Sequence, residues 1–95
     1  MSSQRRPAGG VYGPYETQRD TFGEPLPAAV AALHRSGATR AQVGDIKRNH
    51  LHEALDAAGV RLSAYDRGIV DWLACWEPEV VQVVTGWISR ANRAT

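Results

Sequence analysis

Two apolar patterns of helical period, separated by one proline, constrain the C-terminal third of this chain. The first repeats every three or four residues on one helix face and comprises Tyr65, Ile69, Trp72, Leu73 and Trp76. Pro78 follows, and proline is tolerated in a helix only in the first turn, because it lacks an N–H group and clashes with a preceding turn. We therefore expect two consecutive helices, at about residues 63–76 and 78–92.

The segment after Pro78 could form a strand or a helix. Four of residues 80–84 are valines, and valine favours strands. A strand would place valines on both of its sides and would separate no apolar face. A helix gathers the apolar residues on one face, namely Val80, Val84, Trp87, Ile88 and Ala91. Glu79 near the start, and Arg90 near the end, also match the helix dipole. The segment is therefore predicted to be helical.

Two earlier helices are predicted from their end signals. One begins at Pro27, which suits a first turn, and ends before Gly37, which readily adopts the left-handed conformation. The other begins after Thr39, which forms a capping box with Gln42: each side chain accepts a hydrogen bond from the backbone N–H of the other residue. Gly59 ends this second helix.

Gly44 leaves another interpretation of the second helix open, because glycine inside a helix costs about 1 kcal/mol relative to alanine. The chain would then break at about residues 47–49, with Asn49 capping a further short helix. In both cases the predicted fold is all-α, a small bundle of three to five helices with a C-terminal antiparallel hairpin. Residues 26–95 form this single domain.

Residues 1–25 are rich in glycine and proline, show no lasting period, and are predicted to form a flexible arm. The arm nevertheless carries four large apolar residues. We expect these side chains either to pack on the helices or to form a short docking segment for a partner; they are Val11, Tyr12, Tyr15 and Phe22.

Length and composition limit the class of protein. The chain has 95 residues, enough for one small domain, and a formal net charge of +1, so no global field attracts nucleic acid or an anionic membrane. Cys75 is the single cysteine, so an internal disulfide is excluded and a reducing compartment is favoured. No run of about 18 apolar residues and no signal-peptide core is present. A cytoplasmic location is expected.

No motif in the sequence predicts catalysis or a cofactor. His50 and His52 would lie about 200° apart on a helix, so they cannot share a metal ion, and both are expected at the surface. Cys75 lies between bulky apolar residues and is expected to be a buried, inert thiol. The glycines near the N-terminus lack the strand and helix that flank a phosphate-binding loop. We therefore expect a non-enzymatic protein with no metal ion and no cofactor.

The sequence "AAGVRLSAYDRGIVDWLACWEPEVVQVVTGWISRA", residues 57–91, resembles a group of short proteins from actinobacteria and their phages or integrated elements. The resemblance lies in an "AGV-x-L-x-x-YD-R-x-I-x-x-WLA-x-WEP" pattern followed by an apolar helix ending in "I-x-RA". It covers the C-terminal half and not the arm. The resemblance implies an actinobacterial host, a phage or mobile-element setting, and an accessory or regulatory role. It carries over no catalytic residue.

The amount of apolar surface predicts a partner. About 70 residues fold, and a core of that size rarely supplies more than about 3–5 kcal/mol, yet three tryptophans and a valine-rich helix must be covered. We expect the seam between the last two helices to meet an unknown protein partner or a second copy of the chain, as a homodimer. The residues assigned to this surface are Trp72, Trp76, Val81, Val83 and Trp87.

DNA binding is the alternative function. Basic residues cluster beside an asparagine in "RAQVGDIKRNH", and they are suited to contacting phosphates and base edges; the set is Arg40, Lys47, Arg48 and Asn49. Asp45 and Glu53 dilute this charge. The segment "LSAYDRGIVDWLA" also looks like the opening helix of the helix-turn-helix domains of response regulators and sigma factors. Only about 18 residues follow it, too few for the turn and recognition helix of those domains.

Overall fold

The computed structural model describes the backbone of residues 12–94 and the side chains of residues 12–93. This part of the chain is all-α, as predicted, and contains no strand. A short 3-10 helix, Gln18–Thr21, precedes four α-helices. Their bounds are Pro25–Arg35 for α1, Arg40–Ala57 for α2, Ala64–Leu73 for α3 and Pro78–Ala94 for α4.

Local end signals account for where the helices begin. α1 starts at Pro25, two residues before the predicted Pro27, because both prolines fit the first turn. α2 starts after the predicted capping box, in which the N–H of Thr39 donates to Gln42 Oε1 at 2.7 Å and the N–H of Gln42 donates to Thr39 Oγ1 at 3.2 Å. α2 is continuous, so the predicted alternative of a break near residues 47–49 is wrong.

A second capping box starts α3. The N–H of Ser63 donates to Asp66 Oδ2 at 3.0 Å, and the N–H of Asp66 donates to the Ser63 hydroxyl at 3.4 Å. Hydrogen bonds from the backbone and the hydroxyl of Ser63 hold the pKa of Asp66 below its ordinary value, because they favour the ionised carboxylate. α3 ends at Leu73, three residues before the predicted end, and Glu77 leads into Pro78 at the start of α4.

The core is aliphatic and lies where α4 crosses α1 and α2. α4 packs against α1, α2 and the 3-10 helix, whereas α3 packs mainly against α2. α3 and α4 therefore do not share the apolar seam that the sequence predicts between the last two helices, and Trp72 and Trp76 are exposed. The buried cluster instead consists of Leu26, Val30, Val43, Leu51, Val70 and Val81.

A fully buried amide replaces part of the expected apolar packing of α4. The sequence places Gln82 off the apolar face, yet its side chain is completely buried. Gln82 Oε1 accepts a hydrogen bond from the N–H of Leu26 at 3.3 Å, and Gln82 Nε2 donates to the hydroxyl of Tyr15 at 3.1 Å. The leucine N–H belongs to the first turn of α1, where no intrahelical acceptor exists. The amide thus joins α1, α4 and the N-terminal segment.

Residues 12–24 lie on α4, so the described part of the predicted flexible arm is packed onto the helices. The N–H of Tyr12 donates to Ser89 Oγ at 3.1 Å, and the guanidinium of Arg90 donates to the carbonyl of Tyr12. Phe22, by contrast, is exposed. Val11 and the rest of the predicted arm, residues 1–11, lie outside the described residues.

Gly86 is the position where the N-terminal segment comes closest to α4. A Cβ atom at Gly86 would lie 2.9 Å from the carbonyl oxygen of Tyr12, whereas a Cβ atom at Gly44 in α2 would meet nothing within 4 Å. Close packing of the segment therefore depends on the absence of a side chain at Gly86.

We predict opposite effects of the same substitution at these two helical glycines. Gly44→Ala should raise the free energy of unfolding by about 1 kcal/mol, because alanine is the better helix former and the site is open. Gly86→Ala should lower it by about 1 kcal/mol, because the cost of overpacking exceeds the gain in helix propensity. Urea denaturation followed by circular dichroism measures both. Equal stabilisation by the two variants would contradict the packing of residues 12–15 on α4.

Candidate interaction surfaces

Tyr65, Ile69 and Trp72 of the predicted stripe lie on α3 and face solvent, and Trp76 faces solvent in the turn after α3. We call Tyr65, Ile69, Trp72 and Trp76 the α3 surface. Tyr65 is 78% exposed, Trp72 56%, Trp76 47% and Ile69 40%. The rings of Trp72 and Trp76 meet edge to face, with centroids 5.6 Å apart and an interplanar angle of 81°. This edge-to-face pair presents a large aromatic area to solvent.

α3 carries apolar residues on two sides, and the smaller ones face the core. Val70 and Ala74 are buried and Leu73 is partly buried against the core. Val70 and Ala74 lie more than a quarter turn away from the α3 surface around the helix, and Leu73 lies at its edge. Small side chains let α3 approach α2 closely, and the bulkier stripe is left outside. The period of the sequence identified the stripe, but it could not show which side meets α2.

The five residues predicted to form one partner surface are divided among three places. Trp72 and Trp76 belong to the α3 surface, and Val81 is buried in the core. Val83 is half-buried and lines a groove on α4 that Trp87, 59% exposed, also lines. Only Val81 therefore contributes to stability as a core residue, and the other four remain accessible.

We call the second surface the α4 groove. It has a volume of about 530 Å³ and runs between α4 and residues 15–21 of the N-terminal segment. Its apolar part consists of four side chains of α4, and its charged part consists of three glutamates. The apolar side chains are Val80, Val83, Val84 and Trp87; the glutamates are Glu16, Glu77 and Glu79.

Lys47, one of the basic residues assigned to a DNA site, is buried. Its Nζ donates to the backbone carbonyl of Trp76 at 2.7 Å, just beyond the end of α3. A cation is favourable there, because the C-terminal end of a helix carries a partial negative charge. The ammonium group is therefore engaged in holding the turn between α3 and α4 against α2.

Arg48 is engaged by two carboxylates. Its Nη1 lies 2.7 Å from Asp45 Oδ1, and its Nε lies 2.9 Å from Asp71 Oδ1. The hydrogen bond to Asp45 is the largest cause that raises the pKa of Arg48, and Asp71 adds to it. Because both pairs are largely exposed, we expect them to add little stability. The pair with Asp71 joins α2 to α3, whereas the pair with Asp45 lies within α2.

The predicted DNA site is only partly brought together. Arg40, Lys47 and Arg48 line one groove of about 630 Å³, which Asp45 and Asp71 also line. Asn49 is exposed elsewhere, beside a smaller cavity of about 210 Å³. The groove is thus electrostatically mixed, and the asparagine that would read base edges lies outside it.

Two expectations about titratable side chains are wrong. His50 is half-buried rather than at the surface, with its ring centroid 5.9 Å from that of Tyr12. Burial lowers the pKa of His50, and the nearby carboxylate of Glu53 opposes this shift. Cys75 is exposed rather than buried, because it lies on the outer side of the chain after α3. Its thiol donates to the backbone carbonyl of Asp71 at 3.5 Å.

Sequence reasoning missed the contribution of residues 15–21 to a surface of α4. The glycine- and proline-rich composition gave no period from which to place them. The available signal was Tyr15 itself, an aromatic residue whose hydroxyl requires a polar partner when its ring packs. Gln82, an isolated amide among valines, was the complementary signal.

Comparison with protein-family models, curated proteins and solved structures finds no significant match to this chain. Within the described residues, no three His, Cys, Asp or Glu side chains are grouped so that they could hold a metal ion. None of the helices described is long and apolar enough to cross a membrane.

We predict that Lys47 stabilises the fold and that Arg40 does not. Lys47→Ala removes the hydrogen bond to the Trp76 carbonyl and should lower the free energy of unfolding by about 1–3 kcal/mol. Arg40→Ala removes the same charge from an exposed side chain on the same helix and should change it by less than about 0.5 kcal/mol. Urea denaturation of both variants is the measurement. Similar values for the two would mean that the buried contact of Lys47 is unimportant.

Proposed function

We propose that this chain is a non-enzymatic accessory or regulatory protein that acts by binding another protein through the α3 surface. The observation that carries the proposal is the exposure of Tyr65, Ile69 and Trp72 on a helix whose other side is already packed, with exposed Trp76 in the turn that follows. Exposed groups of large apolar residues are typical of interaction sites in monomeric proteins. Tryptophan and tyrosine are also the residues that most often dominate binding energy at protein interfaces.

The spacing of these residues suits a defined mode of recognition. Positions 65, 69 and 72 follow the i, i+4, i+7 pattern of a helix whose apolar side enters a partner's groove, and Trp76 continues the surface just beyond the helix end. None of the four is charged, so no charge has to be desolvated at the centre of such a contact. We estimate that the four side chains expose on the order of 500 Å². That area approaches the roughly 800 Å² per partner of a standard interface.

A second copy of the chain is the simplest such partner. In a two-fold symmetric dimer, the same surface of both copies meets. An uncharged apolar surface can pack against an identical surface without charge repulsion. The net charge of +1 gives little repulsion between copies. A homodimer would hide the α3 surface completely.

DNA binding through Arg40, Lys47, Arg48 and Asn49 is the alternative, and it has weaker support. Lys47 donates to a backbone carbonyl, and Arg48 pairs with Asp45 and Asp71. Both cations would have to give up these contacts before they could release counterions from phosphates.

We further propose a cytoplasmic setting in an actinobacterial host, linked to a phage or mobile element. The support is the resemblance of residues 57–91 to short proteins from that setting, together with a single, unpaired cysteine. The genes that neighbour the coding sequence test this part, and a housekeeping operon would count against it.

We predict that the chain self-associates through the α3 surface. Sedimentation velocity from micromolar to several hundred micromolar concentration should show a mass that rises from 10.4 kDa toward twice that value. Trp72→Ala should hold the chain at the monomer mass, since the indole contributes an anchor of about 2 kcal/mol or more. Phe22→Ala removes another exposed aromatic ring outside this surface and is the control. It should leave self-association unchanged.

A monomer at all concentrations would exclude the second copy and leave a different protein as the partner. The same variants then serve as baits in an affinity pull-down from the host. A protein retained by the wild type and by Phe22→Ala, but lost by Trp72→Ala, would support the α3 surface. If no protein shows this pattern and the chain stays monomeric, the proposed function fails.

For the alternative function, we predict no detectable binding to duplex DNA at low salt, where phosphate contacts are strongest. Fluorescence anisotropy of a labelled duplex measures this. If binding occurs, Arg40→Ala and Arg48→Ala should each weaken it, and both variants are expected to fold because these side chains are partly or fully exposed. Binding that both variants weaken would favour the DNA-binding function.

A further inference from the structure

We infer that the α4 groove binds a short basic and apolar segment of a partner protein. This extends the proposed function to a second surface, since none of the four residues of the α3 surface lines the groove. Its apolar part would take large apolar side chains of the segment. Its glutamates would take lysine or arginine side chains beside them.

The charge of the groove identifies the kind of occupant. Every charged residue that lines it is a glutamate, namely Glu16, Glu77 and Glu79. Among the described residues, no cation forms an ion pair with any of these three carboxylates. Like charges around an apolar surface attract a cationic partner and repel nucleic acid and anionic lipid. The favoured occupant is therefore a protein segment that carries positive charge.

The size and composition of the groove favour a few apolar anchors. Its volume of about 530 Å³ lies in the range of about 300–1,000 Å³ that is usual for ligand-sized sites. Val80 and Trp87 lie on the same face of α4, about two turns apart, and both are exposed. Val83 and Val84 lie between them and are half-buried, so the apolar strip is continuous along α4.

The wall opposite α4 is held in place before any ligand arrives. Asp20 Oδ2 accepts hydrogen bonds from the N–H groups of Glu16 and Thr17 at 2.9 and 3.0 Å. The hydroxyl of Tyr15 accepts a hydrogen bond from buried Gln82. These contacts fix the segment that carries Glu16 relative to α4. A preformed site loses less conformational entropy when a ligand binds.

The test uses the full chain and two synthetic amphipathic peptides of equal length, one built from leucine and lysine and one from leucine and glutamate. Fluorescence anisotropy of the labelled peptide reports binding. The leucine/lysine peptide should bind, and its affinity should fall several-fold between low and physiological salt because the carboxylates are screened. The leucine/glutamate peptide should not bind.

Matched variants locate the site. The double variant Glu77→Gln/Glu79→Gln should lower the affinity for the leucine/lysine peptide about tenfold. Trp87→Ala should lower this affinity by about the same factor. Glu53→Gln removes an exposed carboxylate of α2 outside the groove and should leave the affinity unchanged. Trp72→Ala tests whether the peptide binds the α3 surface instead. Circular dichroism checks that the Trp87→Ala variant folds. Chemical shifts of the Val80 and Val83 methyl groups provide a second readout that needs no substitution.

Three outcomes would overturn the inference. The first is binding of the leucine/lysine peptide that neither the glutamine pair nor Trp87→Ala weakens. The second is binding lost with Trp72→Ala but kept with Trp87→Ala, which would leave the α3 surface as the binding site and the proposed function intact. The third is a dimer mass that Trp87→Ala converts to a monomer mass, which would make a second copy the occupant of the groove.

Discussion

The buried amide of Gln82 is the interaction on which the arrangement of this chain depends. Its oxygen accepts from the N–H of Leu26 and its nitrogen donates to the hydroxyl of Tyr15. A buried polar group without partners is costly, so the amide favours only arrangements that supply both contacts. It therefore sets the start of α1 against α4 and holds residues 12–24 across the same helix. The α4 groove exists because this segment forms its second wall.

A buried cation has a comparable role just before α4 begins. The ammonium of Lys47 meets the carbonyl of Trp76, and Arg48 reaches Asp71 on α3. Together these contacts hold α3 on α2 by its small residues Val70 and Ala74. Because the helix is held from that side, its aromatic side chains point outward. The α3 surface is thus a consequence of polar contacts made by α2.

Local signals in the sequence predicted the helices well, and tertiary contacts account for the differences. The capping boxes at Thr39 and Ser63 involve residues three apart, so their pattern is readable without the fold. The burial of Gln82 is not local, since both of its partners lie more than fifty residues away. The orientation of Trp72 depends on which of two apolar sides of α3 meets α2, and hydrophobic period alone cannot decide this. Lys47 was expected at the surface by its charge.

Aliphatic residues are buried and aromatic residues are largely exposed, and this difference connects the fold with the proposed function. Among the described residues, the fully buried hydrophobic side chains are all leucine, valine or alanine, and every tryptophan is about half exposed or more. Aliphatic side chains pack a small core tightly, whereas aromatic side chains offer the largest contact area per residue at an interface. Under the proposed function, stability and recognition would therefore be carried by different residues. The aliphatic core and its two buried polar contacts maintain the fold without burying any of the three tryptophans, which leaves these side chains accessible for the proposed contact.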